Sequence, residues 1–262
     1  MVAVDIESSS NRRIIETARL KKRRTRDAEG RFLVEGTRET ARAVDAGASI
    51  NEIFLCPDIA SPETASLAGR IGDSGARITT VSTIAIDKLT IRQNPDGIIA
   101  VASTWAATVD NLDRDLILIA EAIEKPGNLG AMFRTADATG AGLLIADATV
   151  DPFNPNVVRA SQGALFSVPF AVTDAATATS WAHEHGAIVV ATPDAKTDYW
   201  NTDLSGPISI VIGSEHAGVS EAWLNTGIPV RIPMAGDADS LNASVSAAVL
   251  LYEAVRQGRT HG

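Results

Sequence analysis

The sequence predicts an α/β protein in two parts, a smaller N-terminal α/β domain followed by a larger domain built on a parallel sheet. Three observations carry that prediction. From Asp115 onward, short and nearly continuous apolar runs alternate with helical stretches, the signature of parallel strands covered on both faces. Before it, the stretch TWAATVDNLDRD loses apolar periodicity and reads as a linker. The chain has 262 residues, 45% hydrophobic and 21% charged, enough for two modest cores without disulfide or metal staples. The expected boundaries are therefore 1–107, a linker at 108–114, and 115–262.

In the first part, NRRIIETARLKKRR has the spacing of one amphipathic helix with Ile14, Ile15, Ala18 and Leu20 inward. RFLVEG is a short apolar strand ending at Gly36. Thr37 is placed to cap a helix through Ala46 that Gly47 closes. INEIFLC, ARITTVS and GIIAVAS read as strands, with SPETASLAGRIGDSG as a helix.

In the second part, DLILIAEAI is a buried strand and LGAMFRTADATGA a helix ending in glycine. Then follow GLLIAD, a helix around Asn156 to Ala164, the strand SVPFAV and a helix through Trp181. The strands AIVVAT and ISIVIG come next, then a helix near Ser220 to Asn225 and the strand PVRIPM. The last helix, from Asn242 to about Gln257, opens small and apolar nearly all round, which predicts burial.

Cys56 is the single cysteine, so no internal disulfide and no cysteine-rich zinc site is expected. The N-terminus lacks the apolar core of a signal peptide and no run approaches membrane-spanning length, so a cytoplasmic protein with no membrane partner is expected. A net charge of −9 argues against a nucleic-acid partner until its distribution is considered. Between Asn11 and Arg26 stand Arg12, Arg13, Arg19, Lys21, Lys22, Arg23, Arg24 and Arg26 against Glu16. That is a local +7, leaving −16 elsewhere. Such a block suits RNA phosphates, although a solvated helix face is the plainer alternative.

Three segments at the carboxyl ends of predicted strands carry the chemistry, where open α/β sheets bind ligands. In the first, 125–137, Asn128 sits at a helix start as a candidate N-cap. Arg134 follows among Met132, Phe133 and Ala136, an apolar setting in which a cation needs an anionic partner. In the second, 208–218, a buried strand delivers Gly213, where backbone can approach a ligand, and then Glu215. His216 reads as a surface loop residue. In the third, 231–246, a strand end and polar loop lead to Ser240, Leu241 and Asn242. Either polar residue could cap the last helix, while Met234 and Leu241 offer apolar contact. Gly127 and Gly130 do not form G-x-G-x-x-G, which leaves a dinucleotide oxidoreductase a distant alternative.

These segments, in this order and spacing, resemble the SpoU or TrmH-like family of SPOUT methyltransferases. They match N-x-G-x-x-x-R-T-A, G-x-E-x-x-G and I-P-M-x-G…S-L-N-x-S-V over about Leu116 to Glu253, with Ala243 standing where valine is usual. The region with RFLVEGTRET resembles the L30e-like substrate-binding domain of rRNA-directed members.

The resemblance implies a deep trefoil knot and a homodimer with active sites close to the subunit interface. It also implies transfer of a methyl group from S-adenosyl-L-methionine to an RNA ribose 2′-hydroxyl, leaving S-adenosyl-L-homocysteine. Among RNAs, 23S rRNA is implied first. Thr192, Gly213, Ile232, Met234 and Leu241 would line the donor pocket. Asn128, Arg134, Glu215, Ser240 and Asn242 would form the catalytic and RNA-facing set. A sulfonium methyl is intrinsically electrophilic, so no metal is expected. Arg134 either assists deprotonation of the hydroxyl or stays cationic beside the emerging alkoxide, and Glu215 orients Arg134 or Asn128. A tRNA methyltransferase of the same family and a non-catalytic RNA-binding or ribosome-assembly protein remain the alternatives.

Overall fold

The computed structural model describes residues 4–260. It divides into two compact units, the first formed by the chain up to Trp105 with 151–167, the second by 106–150 with the chain from Val168 onward.

The first unit is a mixed four-stranded sheet. Its strands are β1 (Arg31–Glu35), β2 (Ile50–Leu55), β3 (Arg77–Thr80) and β4 (Ile98–Ser103), in the order β1-β4-β2-β3. β4 runs antiparallel to both neighbours, and β2 pairs β3 in parallel. Alternation sends Leu33, Phe54, Ile99 and Val101 into one core. Two helices supply its other wall, α1 (Arg12–Ala18) with Ile14 and α5 (Thr83–Leu89) with Ala85, Ile86 and Leu89. α3 (Thr37–Asp45) and α4 (Pro62–Asp73) pack against each other and against the strands.

The N-terminal basic segment differs from the single amphipathic helix expected. α1 ends at Ala18, a 3-10 turn spans Arg19–Lys21, and extended backbone at Lys22 precedes α2 (Arg23–Glu29). The break turns Ile15 outward while Ile14 and Leu20 stay buried. α5 has no counterpart in the sequence reading. Ser82 caps it by accepting from Ala85 N at 3.2 Å, and exposed Ile84 obscures its apolar stripe.

Residues 151–167, placed by the sequence reading with the second domain, fold into the first unit. They comprise α7 (Pro155–Ser161) and a following 3-10 turn. Asp151 pairs with buried Arg26. Phe153 lies 4.9 Å from Phe32 and 4.8 Å from Trp105 between ring centroids, and Phe166 joins the same cluster. Such a cluster fixes the segment by apolar burial and aromatic packing.

The second unit is a six-stranded, wholly parallel sheet. Its strands are β5 (Leu116–Glu121), β6 (Gly142–Ala146), β7 (Phe170–Thr173), β8 (Ala187–Ala191), β9 (Ile208–Ile212) and β10 (Ile228–Val230). They lie in the order β10-β8-β9-β5-β6-β7, so the strand order reverses between β9 and β5. On one face Ile117, Ile119, Leu144, Val190 and Val211 meet Ala178 and Ala182 of α8 (Ala175–His185), with Trp223 of α9 (Glu221–Leu224). α10 (Ala243–Thr260) packs against β5 and β9, α6 (Pro126–Thr139) packs against β6, and the two helices contact each other. α10 is not buried all round as expected. Ala243, Ala247, Leu250, Leu251 and Ala254 form a buried stripe at helical spacing, while Val245 and Tyr252 are exposed. Among the described residues no helix is long and apolar enough to cross a membrane.

Candidate active site

A cavity of about 670 Å³ opens at the carboxyl ends of β8, β9 and β10. Its walls follow from the local sequence. β8 delivers Thr192 to one side and β9 delivers Gly213 to another. The strand end after β10 brings Ile232 and Met234, and the loop before α10 closes over with Ser240, Leu241 and Asn242. All five residues expected at the donor pocket line this one cavity.

Gly213 is needed for a reason beyond ligand approach. The loop after β9 folds back on itself, with Ser214 N donating to Gly218 O at 3.0 Å and Gly218 N to Ser214 O at 3.1 Å. A Cβ at Gly213 would stand 2.2 Å from the Gly218 carbonyl carbon. The returning backbone occupies the space a side chain would need.

The polar groups converge by a chain of hydrogen bonds through all three motif segments. Asn128 Nδ2 donates to Glu215 Oε1. Asn128 Oδ1 accepts from Asn242 Nδ2 at 3.1 Å. Glu215 Oε2 also accepts from Glu124 N at 3.3 Å, and Asn242 Oδ1 accepts from Ser244 N at 2.9 Å. An amide is suited to the centre of this chain because it donates on one side and accepts on the other. Asn128 is buried and lies inside the first turn of α6, with Lys125 at the cap position. It is therefore not the N-cap that its position suggested; Asn242, immediately before α10, performs that bonding for its own helix. Glu215 is bonded to Asn128, not to Arg134.

Arg134 differs from its expected apolar setting. Met132, Phe133 and Ala136 turn into the unit, and the helical period sends Arg134 to the exposed side of α6. Among the described residues it forms no ion pair, and it does not line the cavity. Several lining residues were not singled out by the sequence, among them Lys125, Asp194 and Ser246. His216, expected as a surface loop residue, is exposed yet also lines the cavity. The histidine's position within G-x-E-x-x-G was the available signal.

The basic segment is sorted by the fold. Arg26 is buried, paired with Asp151 and donating to Leu20 O at 2.8 Å, so its assignment to RNA contact is corrected to a structural one. Arg13 is engaged by Glu52 and Thr79. Lys21 Nζ donates to Lys88 O at 2.9 Å and Thr90 O at 2.8 Å. Arg12 pairs with Glu16 and Arg23 with Asp27 on the surface. Arg19, Lys22 and Arg24 are exposed and carry no ion pair among the described residues.

A parallel sheet with a half-apolar cavity at its strand ends defines an α/β domain for a small organic ligand. The family model described as "SpoU rRNA Methylase family" matches residues 115–252, and that of the "MRM3-like substrate binding domain" matches 11–100. The chain belongs to the SpoU rRNA methylase family. A 23S rRNA (uridine(2479)-2′-O)-methyltransferase of Streptomyces viridochromogenes is 32% identical over 258 residues, spanning 93% of this chain and 90% of that protein. The crystal structure of an RNA 2′-O ribose methyltransferase is 41% identical, with a TM-score of 0.84 over 96% of this chain and 98% of that one. The AviRb SpoU methyltransferase of Streptomyces viridochromogenes, solved in complex with the cofactor AdoMet, is 30% identical. It has a TM-score of 0.84 over 96% of this chain and 99% of that one.

Proposed function

We propose that the protein transfers a methyl group from S-adenosylmethionine to a ribose 2′-hydroxyl of 23S rRNA, acting as a cytoplasmic homodimer. The observation that carries this reading is the hydrogen-bonded run from Glu215 through Asn128 to Asn242 beside the cavity of about 670 Å³. That volume is within the range of small-molecule sites, roughly 300–1,000 Å³. Ile232, Met234 and Leu241 suit an adenine ring, and the polar loops offer partners for a ribose and an amino acid. S-Adenosylmethionine, when bound, supplies an electrophilic sulfonium methyl.

The chain's own residues bind and position. Gly213, Thr192 and the loop before α10 enclose the donor. Asn128, Glu215 and Asn242 hold the three loops in one arrangement, so that the reacting groups meet at high effective concentration. Ser240, at the cavity wall, is a hydroxyl for the RNA side. Arg134 remains a guanidinium and stabilises negative charge on the attacking oxygen. Its exposure on α6 suits a site completed by RNA and a second subunit, and exposed Val245 and Tyr252 on α10 support a homodimer. The match of 11–100 to a substrate-binding domain favours rRNA, with Arg19, Lys22 and Arg24 on phosphate. The family's trefoil knot and the L30e-like character of the first domain are part of the same proposal.

Calorimetric titration of the full chain with S-adenosylmethionine tests the donor site. Saturable heat at one site per chain, lost in Leu241→Glu, is expected. Absence of heat in the wild-type chain together with an unshifted melting temperature would defeat the reading.

A further inference from the structure

The loop from Thr90 to Gly97, between α5 and β4, is held by buried Glu35 and Glu39 at its entry and by half-exposed Asp96 at its exit, and presents two exposed amides between them. At its entry the buried Glu35 carboxylate accepts from Thr90 Oγ1, from Ile91 N at 2.8 Å and from Arg92 N at 3.3 Å. Arg92 then reaches back, donating to Glu35 O at 3.1 Å and pairing with buried Glu39 at 2.9 Å. At the exit Asp96 accepts from Arg92 Nη1 at 3.1 Å and from Thr37 N at 3.2 Å. Gly36 makes room for this clamp. At its φ of 109° a Cβ would stand 2.4 Å from the Glu39 carboxylate and 2.5 Å from the Arg92 guanidinium.

Burying two carboxylates and fixing a loop are both unfavourable unless every group finds a partner. A connection between a helix and a strand needs no such anchoring. What the clamp leaves outside is Gln93 and Asn94, both exposed, with no side-chain hydrogen bond among the described residues. Exposed amides on an anchored loop are suited to reading base edges, since each can donate and accept in a bidentate pair. In RNA the edges on offer belong to unstacked bases of loops and bulges. The basic segment is tied to the same loop, because Lys21 Nζ donates to Thr90 O at 2.8 Å. Lys22, next to Lys21, and Arg19, two residues before it, are exposed cations.

We infer that Gln93 and Asn94 are specificity-determining residues that read a base of single-stranded RNA while the neighbouring cations hold phosphate. This rests on the RNA-directed reading above and deepens it.

The test is the Gln93→Ala, Asn94→Ala double variant of the full chain. Filter binding compares unmodified 23S rRNA, transcribed in vitro, with poly(U) over a range of salt. The expected result is affinity for 23S rRNA weaker by about tenfold or more. Poly(U) affinity and the salt slope of binding stay as in the wild-type chain, because no phosphate contact is lost. Unchanged affinity for 23S rRNA, or equal loss on both RNAs, overturns the inference. Methyl transfer is read separately on the same transcript. Lost discrimination in the variant, with no methylation of RNA by the wild-type chain, supports base reading while defeating the methyltransferase reading. Retained discrimination in the variant, with methylation by the wild-type chain, defeats only the base reading.

Discussion

Asn128 and Glu215 are 87 residues apart in the chain, yet the amide of one donates to the carboxylate of the other. The same Asn128 accepts from Asn242, which stands at the start of the last helix. One small side chain thus ties together three loops from separate strands, and the cavity takes its shape from that connection.

Replacing Asn128 with Asp should be more damaging than replacing it with Ser. Asp sets a second carboxylate against Glu215, and like charges at such a site disfavour each other's ionisation. Methyl transfer in N128D should recover on acidification, as one carboxyl takes a proton and donates again; N128S should show no such recovery. Parallel pH profiles for the two variants would contradict this role.

Gly213→Ala should destabilise the loop after β9, because the added methyl overlaps the Gly218 backbone. Overpacking of this kind costs about 1–3 kcal/mol. Urea unfolding should show a lower midpoint and titration a weakened donor site. A variant with wild-type midpoint and affinity would show that the loop has room.

Arg26 and its exposed neighbours should separate cleanly. Arg26→Ala breaks a buried pair with Asp151 and should destabilise the protein by about 3–5 kcal/mol, leaving the salt dependence of RNA binding unchanged. Lys22→Ala with Arg24→Ala should leave the unfolding midpoint alone. That pair should reduce the slope of log affinity against log salt by about 1 to 2.

Arg134→Lys should retain single-turnover methyl transfer well above Arg134→Ala if the guanidinium acts through its charge. Equal loss in both variants would favour a role that only the planar fork can fill. Neither change should move the melting temperature, since Arg134 is exposed.

Much of the second unit was legible because its strands are apolar runs of parallel-sheet length, and each motif segment follows one of them. The cavity wall was legible for the same reason: Thr192, Gly213 and Leu241 sit at strand or helix ends whose positions the periodicity locates. What escaped depends on partners distant in the chain. Arg26 looks like any cation of a basic run until Asp151, 125 residues on, is brought beside it. The placement of 151–167 rests on Phe32, Trp105, Phe153 and Phe166 meeting, and aromatic positions scattered through a sequence carry no record of that. Arg134 was misjudged because sequence neighbours on a helix do not share a face. α5 was missed because Ile84 points outward among its apolar residues, breaking the stripe that would have marked it.

The most direct measurement is methyl transfer itself. The purified protein is incubated with methyl-labelled S-adenosylmethionine and unmodified 23S rRNA, and the label is mapped by alkaline hydrolysis. Label in a single alkali-resistant dinucleotide, abolished by Asn128→Ala, is predicted. Label on a base, or none in RNA while the donor is bound, would contradict ribose 2′-hydroxyl methylation.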